Sequence, residues 1–230
     1  MKNLSKDESG DSSPRTSSRS TAAPVAPTQN TIEDLRHAAH NCKACDLWKR
    51  ATQVVFGEGA TTAKIMLVGE QPGDQEDRAG RPFVGPAGKI LDQALTGAGI
   101  NRAEVYVTNV VKHFKWSAAE RGKRRIHKKP RYVEIQACRP WLDAEVRVIK
   151  PWVLVCLGAT AAHALLGKDF SVIRQRGQLV DSPLARYATA TVHPSSILRA
   201  PDDRSRHQQM NAFINDLKNV ARLVTGEKAA

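Results

Sequence analysis

The chain has 230 residues, 41% of them hydrophobic, with a formal net charge of +12 and a pI near 9.8. No apolar run approaches the ~18–20 residues of a membrane span, and the N-terminal stretch has no apolar core of the kind that directs secretion. The expectation is a cytoplasmic protein without a membrane partner, whose surplus of positive charge suits phosphate and hence nucleic acid.

Residues 1–30 are rich in Ser, Thr, Pro and Ala and carry four basic and three acidic side chains. They lack the apolar periodicity of a core, and the expectation is a disordered polar tail. A folded domain is expected over 31–224, with a short tail at 225–230. Its first helix is expected to start at Thr31, where Thr-Ile-Glu-Asp resembles a capping box. A buried strand follows at Lys64–Val68, then a helix over Pro86–Ala98 with Ile90, Leu91, Ala94 and Leu95 on one face. A second strand is expected at Val105–Val111, a long helix at Tyr132–Ile149 and a third strand at Trp152–Leu157. A short helix at Ala159–Leu166, a fourth strand at Tyr187–Val192 and a closing helix at Arg204–Val224 complete the pattern. Strands alternating with helices predict an α/β fold, a three-layer α/β/α sandwich on a four-stranded, mainly parallel sheet. Ligands of such sheets sit beyond the carboxyl ends of the strands. The polar segments there are Gly69–Asp74, Lys112-His113, Gly158–Thr160 and His193–Ser196.

The densest charge lies at 121–131, RGKRRIHKKPR, with seven Lys or Arg, no acid, and His127 in the middle. Runs of this kind are more often solvated surface or localisation signals than active sites. Their charge alone gives no reason for an imidazole. The four cysteines are Cys42, Cys45, Cys138 and Cys156. A disulfide is not expected in a reducing compartment. The Cys42-Lys-Ala-Cys45 pair with two distant thiols suits a structural metal centre, either zinc or iron–sulfur, and the spacing does not choose between them. His37 and His40 are spare ligands nearby, but the four thiols are complete without them.

Taken together, Gly69-Glu70-x-Pro72-Gly73, Gly80-Arg-Pro-Phe83-Val-Gly-Pro-Ala-Gly88, Thr108-Asn109-Val-Val-Lys112, His193-Pro194-Ser195 and the cysteines resemble the family-4 uracil-DNA glycosylases, from about Thr31 to Leu223. The resemblance implies the uracil-DNA glycosylase-like fold, uracil-containing DNA as partner, and a [4Fe-4S] cluster on Cys42, Cys45, Cys138 and Cys156. Gln71, where ordinary members usually carry Ala, and the inserted Lys123-Arg-Arg-Ile-His127 depart from the common pattern and look like the UdgX subgroup. Members of that subgroup excise uracil and stay covalently attached to the DNA through the loop histidine.

Cleaving the glycosidic bond of deoxyuridine builds positive charge at C1′ and negative charge on the leaving uracil, so a carboxylate or nucleophile is needed at the sugar and donors at the base. Glu70 is the candidate carboxylate, and Asn109 can read a uracil edge through one donor and one acceptor. Phe83 is a stacking platform, and His193 a donor to the uracil oxygen. By resemblance His127 attacks C1′, and Gln71 and Asp74 add contacts to the pyrimidine, partly through backbone groups. Lys123, Arg124, Arg125, Lys128 and Lys129 are read as phosphate contacts, as is Arg199, beside an apolar wedge at Ile197-Leu198. The protein is expected to be a monomer that excises uracil, with single strands preferred, and captures the product. The alternatives are a turning-over family-4 enzyme, in which the loop only grips DNA, and a non-catalytic metal-stabilised binding module.

Overall fold

A computed structural model describes residues 27–120 and 124–226. The expected tails at 1–30 and 225–230 lie almost wholly outside this range. Ile65–Gly69 (β2), Val105–Asn109 (β3), Val153–Leu157 (β6) and Tyr187–Thr191 (β7) form a parallel sheet. The two-residue strand Glu58–Gly59 (β1) joins its edge antiparallel to β3, giving the order β1-β3-β2-β6-β7. The four expected strands are therefore present. The fifth is too short to leave a periodic signal.

The parallel strands are apolar on both faces because both faces are covered. Met66, Val68, Tyr106, Leu154 and Cys156 point to one layer, against Ile32 and Leu35 of α1 (Ile32–Ala39), Cys138 and Leu142 of α4 (Tyr132–Ile149), and Ala161 and Leu165 of α5 (Ala159–Leu166). The alternate residues Ile65, Leu67, Val105, Val107, Val153 and Val155 meet Leu91 and Leu95 of α3 (Pro86–Gly97), Ile197 of α7 (Pro194–Leu198), and Phe213 and Leu217 of α8 (Asp203–Thr225). Thr31 caps α1, its hydroxyl accepting from the Asp34 amide at 3.1 Å and donating to the Asp34 carboxylate at 2.7 Å. Three short α-helices were not anticipated: α2 (Asp74–Ala79), directly after the β2 loop, α6 (Val172–Gln175), and α7, which begins right after His193.

After the short edge strand β1, the parallel part of the sheet starts at β2, steps outward to β3 and then crosses to β6 on the other side. The crevice beyond β2 and β6 is therefore the switch point where a ligand is expected. Part of the basic segment expected as a loop is an antiparallel hairpin, Trp116–Ala118 (β4) against Arg125–His127 (β5), with Trp116 opposite His127. Its tip, including Lys123, lies outside the described residues. Among the described residues no helix is long and apolar enough to cross a membrane.

Candidate active site

A cavity of about 630 Å³ opens at the switch point. Glu70 and Gln71 follow β2, Asn109 ends β3, Thr160 begins α5 after β6, and His193 follows β7. Phe83 and Lys129 also line it, as do His127 of the hairpin and Arg199 after α7. The strand ends thus bring together residues up to 123 positions apart in sequence, from Glu70 to His193. Close backbone approach is required: a Cβ at Gly69 would stand 2.7 Å from the Phe83 ring, and Gly158, at φ +90°, leaves its space to His193. Phe83 adopts a left-handed backbone (φ 56°), a cost of order 1–3 kcal/mol that non-glycine residues bear mainly at functional sites. Its ring centroid lies 6.2 Å from that of His193, the planes inclined by 30°.

The protonation of this site follows from its hydrogen bonds. The Ser195 amide donates to His193 Nδ1 at 3.2 Å, and the Ser195 hydroxyl, which accepts from Arg199 at 3.2 Å, lies 2.8 Å from the same nitrogen. Nδ1 is therefore the acceptor, and the proton resides on Nε2. Burial, aided by the nearby Arg199 charge, lowers the His193 pKa to about 4. His193 is a neutral N–H donor at physiological pH.

His127 Nε2 lies 3.5 Å from Glu70 Oε1 and 2.9 Å from Gln71 Nε2. The Gln71 amide donates to it, since Gln71 Oε1 accepts from the Lys115 amide at 3.2 Å. Burial pushes the His127 pKa down, against the opposing pull of the Glu70 charge, so the half-exposed ring is neutral and carries a lone pair. The other oxygen of Glu70 accepts from the Thr160 hydroxyl, which fixes the carboxylate with one edge toward His127. Thr160 was not singled out from the sequence, although it stands in the polar segment after the third parallel strand. Glu76 was missed as well. Its carboxylate accepts from the amides of Gly73 at 3.0 Å and Gly85 at 2.7 Å, holding the two loops of the cavity wall together.

The geometry corrects one expected contact and commits the side chain of a second residue. Arg125, read as a phosphate ligand, is only 10% exposed and turns inward. It pairs with Asp74 and, at 2.6 Å, with the fully buried Asp77, and lies over the rings of Phe114 and Trp116 at 5.3 and 5.5 Å. Burial opposes these charges, yet the mutual bonds prevail, with the Arg125 pKa raised and that of Asp74 lowered. Asp74, expected to meet the pyrimidine partly through backbone groups, spends its carboxylate on Arg125 and Arg78, and its carbonyl also accepts from Arg125 at 3.3 Å. Arg124, Lys128, Lys129 and Arg199 are exposed, and Lys129 and Arg199 line the cavity.

The cysteines flank the α1/α4 side of the core, Cys138 and Cys156 within it and Cys45 packed against it. Cys42 Sγ accepts from Trp141 Nε1 at 3.1 Å, and Cys138 Sγ from the Lys112 amide at 3.2 Å. Burial raises the thiol pKa of Cys138 to about 12, with Lys112 pulling the other way, and raises those of Cys45 and Cys156. Among the described residues no three His, Cys, Asp or Glu side chains converge into a closed cage. The donor chemistry, sulfurs with N–H bonds directed at them, nonetheless fits a thiolate-bound metal.

A carboxylate, a neutral imidazole, a planar amide and an aromatic ring line one cavity at the switch point of a parallel α/β sheet, with Lys129 and Arg199 on its wall, and these are groups that an enzyme acting on an extruded base requires. Residues 56–218 match the uracil DNA glycosylase superfamily. The chain is 38% identical over 172 residues to a type-4 uracil-DNA glycosylase of Thermotoga maritima, covering 74% of this chain and 85% of that protein. It is 36% identical to one from Sulfurisphaera tokodaii (76% and 79% covered) and 32% identical to one from Archaeoglobus fulgidus (84% and 93% covered). The protein belongs to the uracil-DNA glycosylase superfamily.

Proposed function

We propose that the protein excises uracil from DNA and retains the resulting abasic sugar as a covalent adduct on His127, as the UdgX subgroup does. The observation that carries this reading is the approach of Glu70 Oε1 to within 3.5 Å of His127 Nε2 on the wall of the cavity, so that carboxylate and lone pair face the same point. A grip on phosphate needs neither the carboxylate nor a neutral imidazole held there.

The C1′–N1 bond breaks with its electron pair passing to uracil N1. Nε2–H of His193 donates to the uracil oxygen on which that charge spreads, while Glu70 faces the developing cation at C1′. Phe83 stacks on the base, and the Asn109 amide matches a uracil edge and mismatches cytosine, where donor and acceptor are exchanged. The His127 Nε2 lone pair then forms the bond to C1′, the Nδ1 proton passes from the half-exposed ring to solvent while the uracil anion takes one up, and the neutral N-alkyl imidazole that remains is a poor leaving group. The same reading places a [4Fe-4S] cluster on Cys42, Cys45, Cys138 and Cys156, tying α1 and α4 to the sheet, and takes 31–224 as the domain.

The type-4 names of the relatives favour a second reading, hydrolytic turnover with the hairpin as a grip. Denaturing electrophoresis of the protein with a labelled single-stranded oligonucleotide containing one uracil separates the two, beside a thymine control and His127→Ala. A uracil-dependent band that survives heat and detergent, and is absent with His127→Ala, is the expected result. Free strand bearing an alkali-labile site would establish turnover instead. Binding without either product would leave a non-catalytic module.

A further inference from the structure

We infer that the buried ion pair Lys112–Glu145 is the positioning device for Asn109, and so governs recognition of the base rather than simply stabilising the core. The inference rests on Asn109 as the uracil-reading residue. Lys112 and Glu145 are 2% and 0% exposed at their side chains, and their charged atoms lie 2.6 Å apart. The Lys112 ammonium uses its three protons on Glu145 Oε2 at 2.6 Å, the Thr108 hydroxyl at 2.6 Å and the carbonyl of Asn109 at 2.7 Å. Glu145 collects the Gly57 amide, the Tyr106 hydroxyl and the Thr108 hydroxyl, at 2.9–3.0 Å.

Why a charged pair should be buried here follows from the sheet. The edge strand β1 covers β3 only at Tyr106 and Val107. Thr108 and Asn109 therefore have no strand on that side, and just beyond them the chain turns across β2, the amides of Val110 and Val111 donating to the carbonyls of Gly69 and Glu70. Lys112 folds back beneath this turn and replaces the missing strand at the residue whose side chain enters the cavity. Packed apolar residues would stabilise the core as well as an ion pair does. They could not supply a donor to the Asn109 carbonyl. Both ends of Lys112 are moreover held by α4: its amide by Cys138, its ammonium by Glu145 two turns later. The thiol-bearing helix and the base-reading residue thus form one mechanical unit.

The test is the neutral pair Lys112→Met/Glu145→Gln, with Asn109→Ala alone and all three changes combined. Four quantities are read: melting temperature, binding to a thymine-containing single strand, single-turnover uracil release, and inhibition by free uracil. The expected result is a folded protein with unchanged grip on the thymine strand. Uracil release is slowed on the order of 100-fold, as for a misplaced reacting group, and inhibition by free uracil is weakened in parallel. In the Asn109→Ala background the pair change adds nothing, because both act through one side chain. A folded pair variant that releases uracil at the wild-type rate, while Asn109→Ala is slow, would overturn the inference. Wild-type release by Asn109→Ala itself would instead overturn the base-reading role on which it rests. Should the pair variant not fold, Lys112→Gln/Glu145→Gln, neutral and able to hydrogen-bond, carries the same comparison. Failure of both to fold would show the pair to be purely structural and reject the assignment.

Discussion

Replacing Arg125 by Met tests whether the hairpin must be locked for His127 to act. In the wild type Arg125 ties the hairpin to α2 through Asp77, which is wholly buried, and through the partly exposed Asp74, and it lies over Phe114 and Trp116. Breaking a buried pair by removing one partner costs about 3–5 kcal/mol. The Asp74 pair adds little because its carboxylate is open to solvent, and Met retains part of the ring contact. Asp77 keeps the Thr52 amide as a donor, at 3.0 and 3.1 Å, so the lower figure applies. About 3 kcal/mol charged to the docked hairpin shifts its docking equilibrium by roughly two orders of magnitude. Covalent capture should slow by up to that factor. Uracil release, which the proposed function assigns to Glu70, Asn109 and His193 on the sheet, should fall much less. Time courses of heat-stable adduct and of alkali-labile sites on one uracil-containing single strand report both rates. If Arg125→Met formed adduct as fast as wild type, the docked hairpin would not be what presents His127.

The remaining predictions concern stability, grip and the thiols. Burial holds His113 and His193 at pKa values of about 4, against 6.5 in the unfolded chain. Between those values the unfolded state takes up protons and the folded state does not. The stability from their neutral burial is therefore complete above pH 6.5 and is lost as pH falls toward 4, by roughly 3 kcal/mol per histidine. Urea unfolding at pH 7 and pH 4.5 measures this, and the double variant His113→Gln/His193→Gln should flatten the profile. Neutralising Lys128 and Lys129 should lower the slope of log affinity against log salt for a thymine strand by about 0.7 per residue, whereas Arg125→Met, already committed to Asp77, should leave it nearly unchanged. Purified protein should carry iron and sulfide with a visible absorption band, and Cys138→Ser should lose both iron and melting temperature. A colourless wild type with stoichiometric zinc would replace the cluster by a zinc site.

The parallel sheet and its main helices were legible because their signals are local. Runs such as Ile65–Val68 and Val153–Leu157 are apolar throughout, as only strands covered on both faces are, and α4 shows its buried residues at helical spacing. Glu70, Asn109 and His193 could be picked out because each follows directly on such a run, where ligands of parallel sheets gather. What the residues alone did not decide was direction. Arg125 and Lys128 are neighbours in one basic run, yet the first turns inward to Asp77 and the second faces solvent, because a three-residue strand pairing sets which side chains share the inner face. Thr160 acquires its role only through the Glu70 rotamer. Lys112 stands in the sequence only as the last residue of a motif, with no partner, and Glu145 as an ordinary acidic residue, until the sheet edge ends at Val107 and leaves a carbonyl for an ammonium to satisfy. Composition and periodicity determined the layers of this protein and which strand ends would carry its chemistry. Tertiary structure alone decided which charges meet each other and which meet the substrate, since pairing depends on distances between segments that are far apart along the chain.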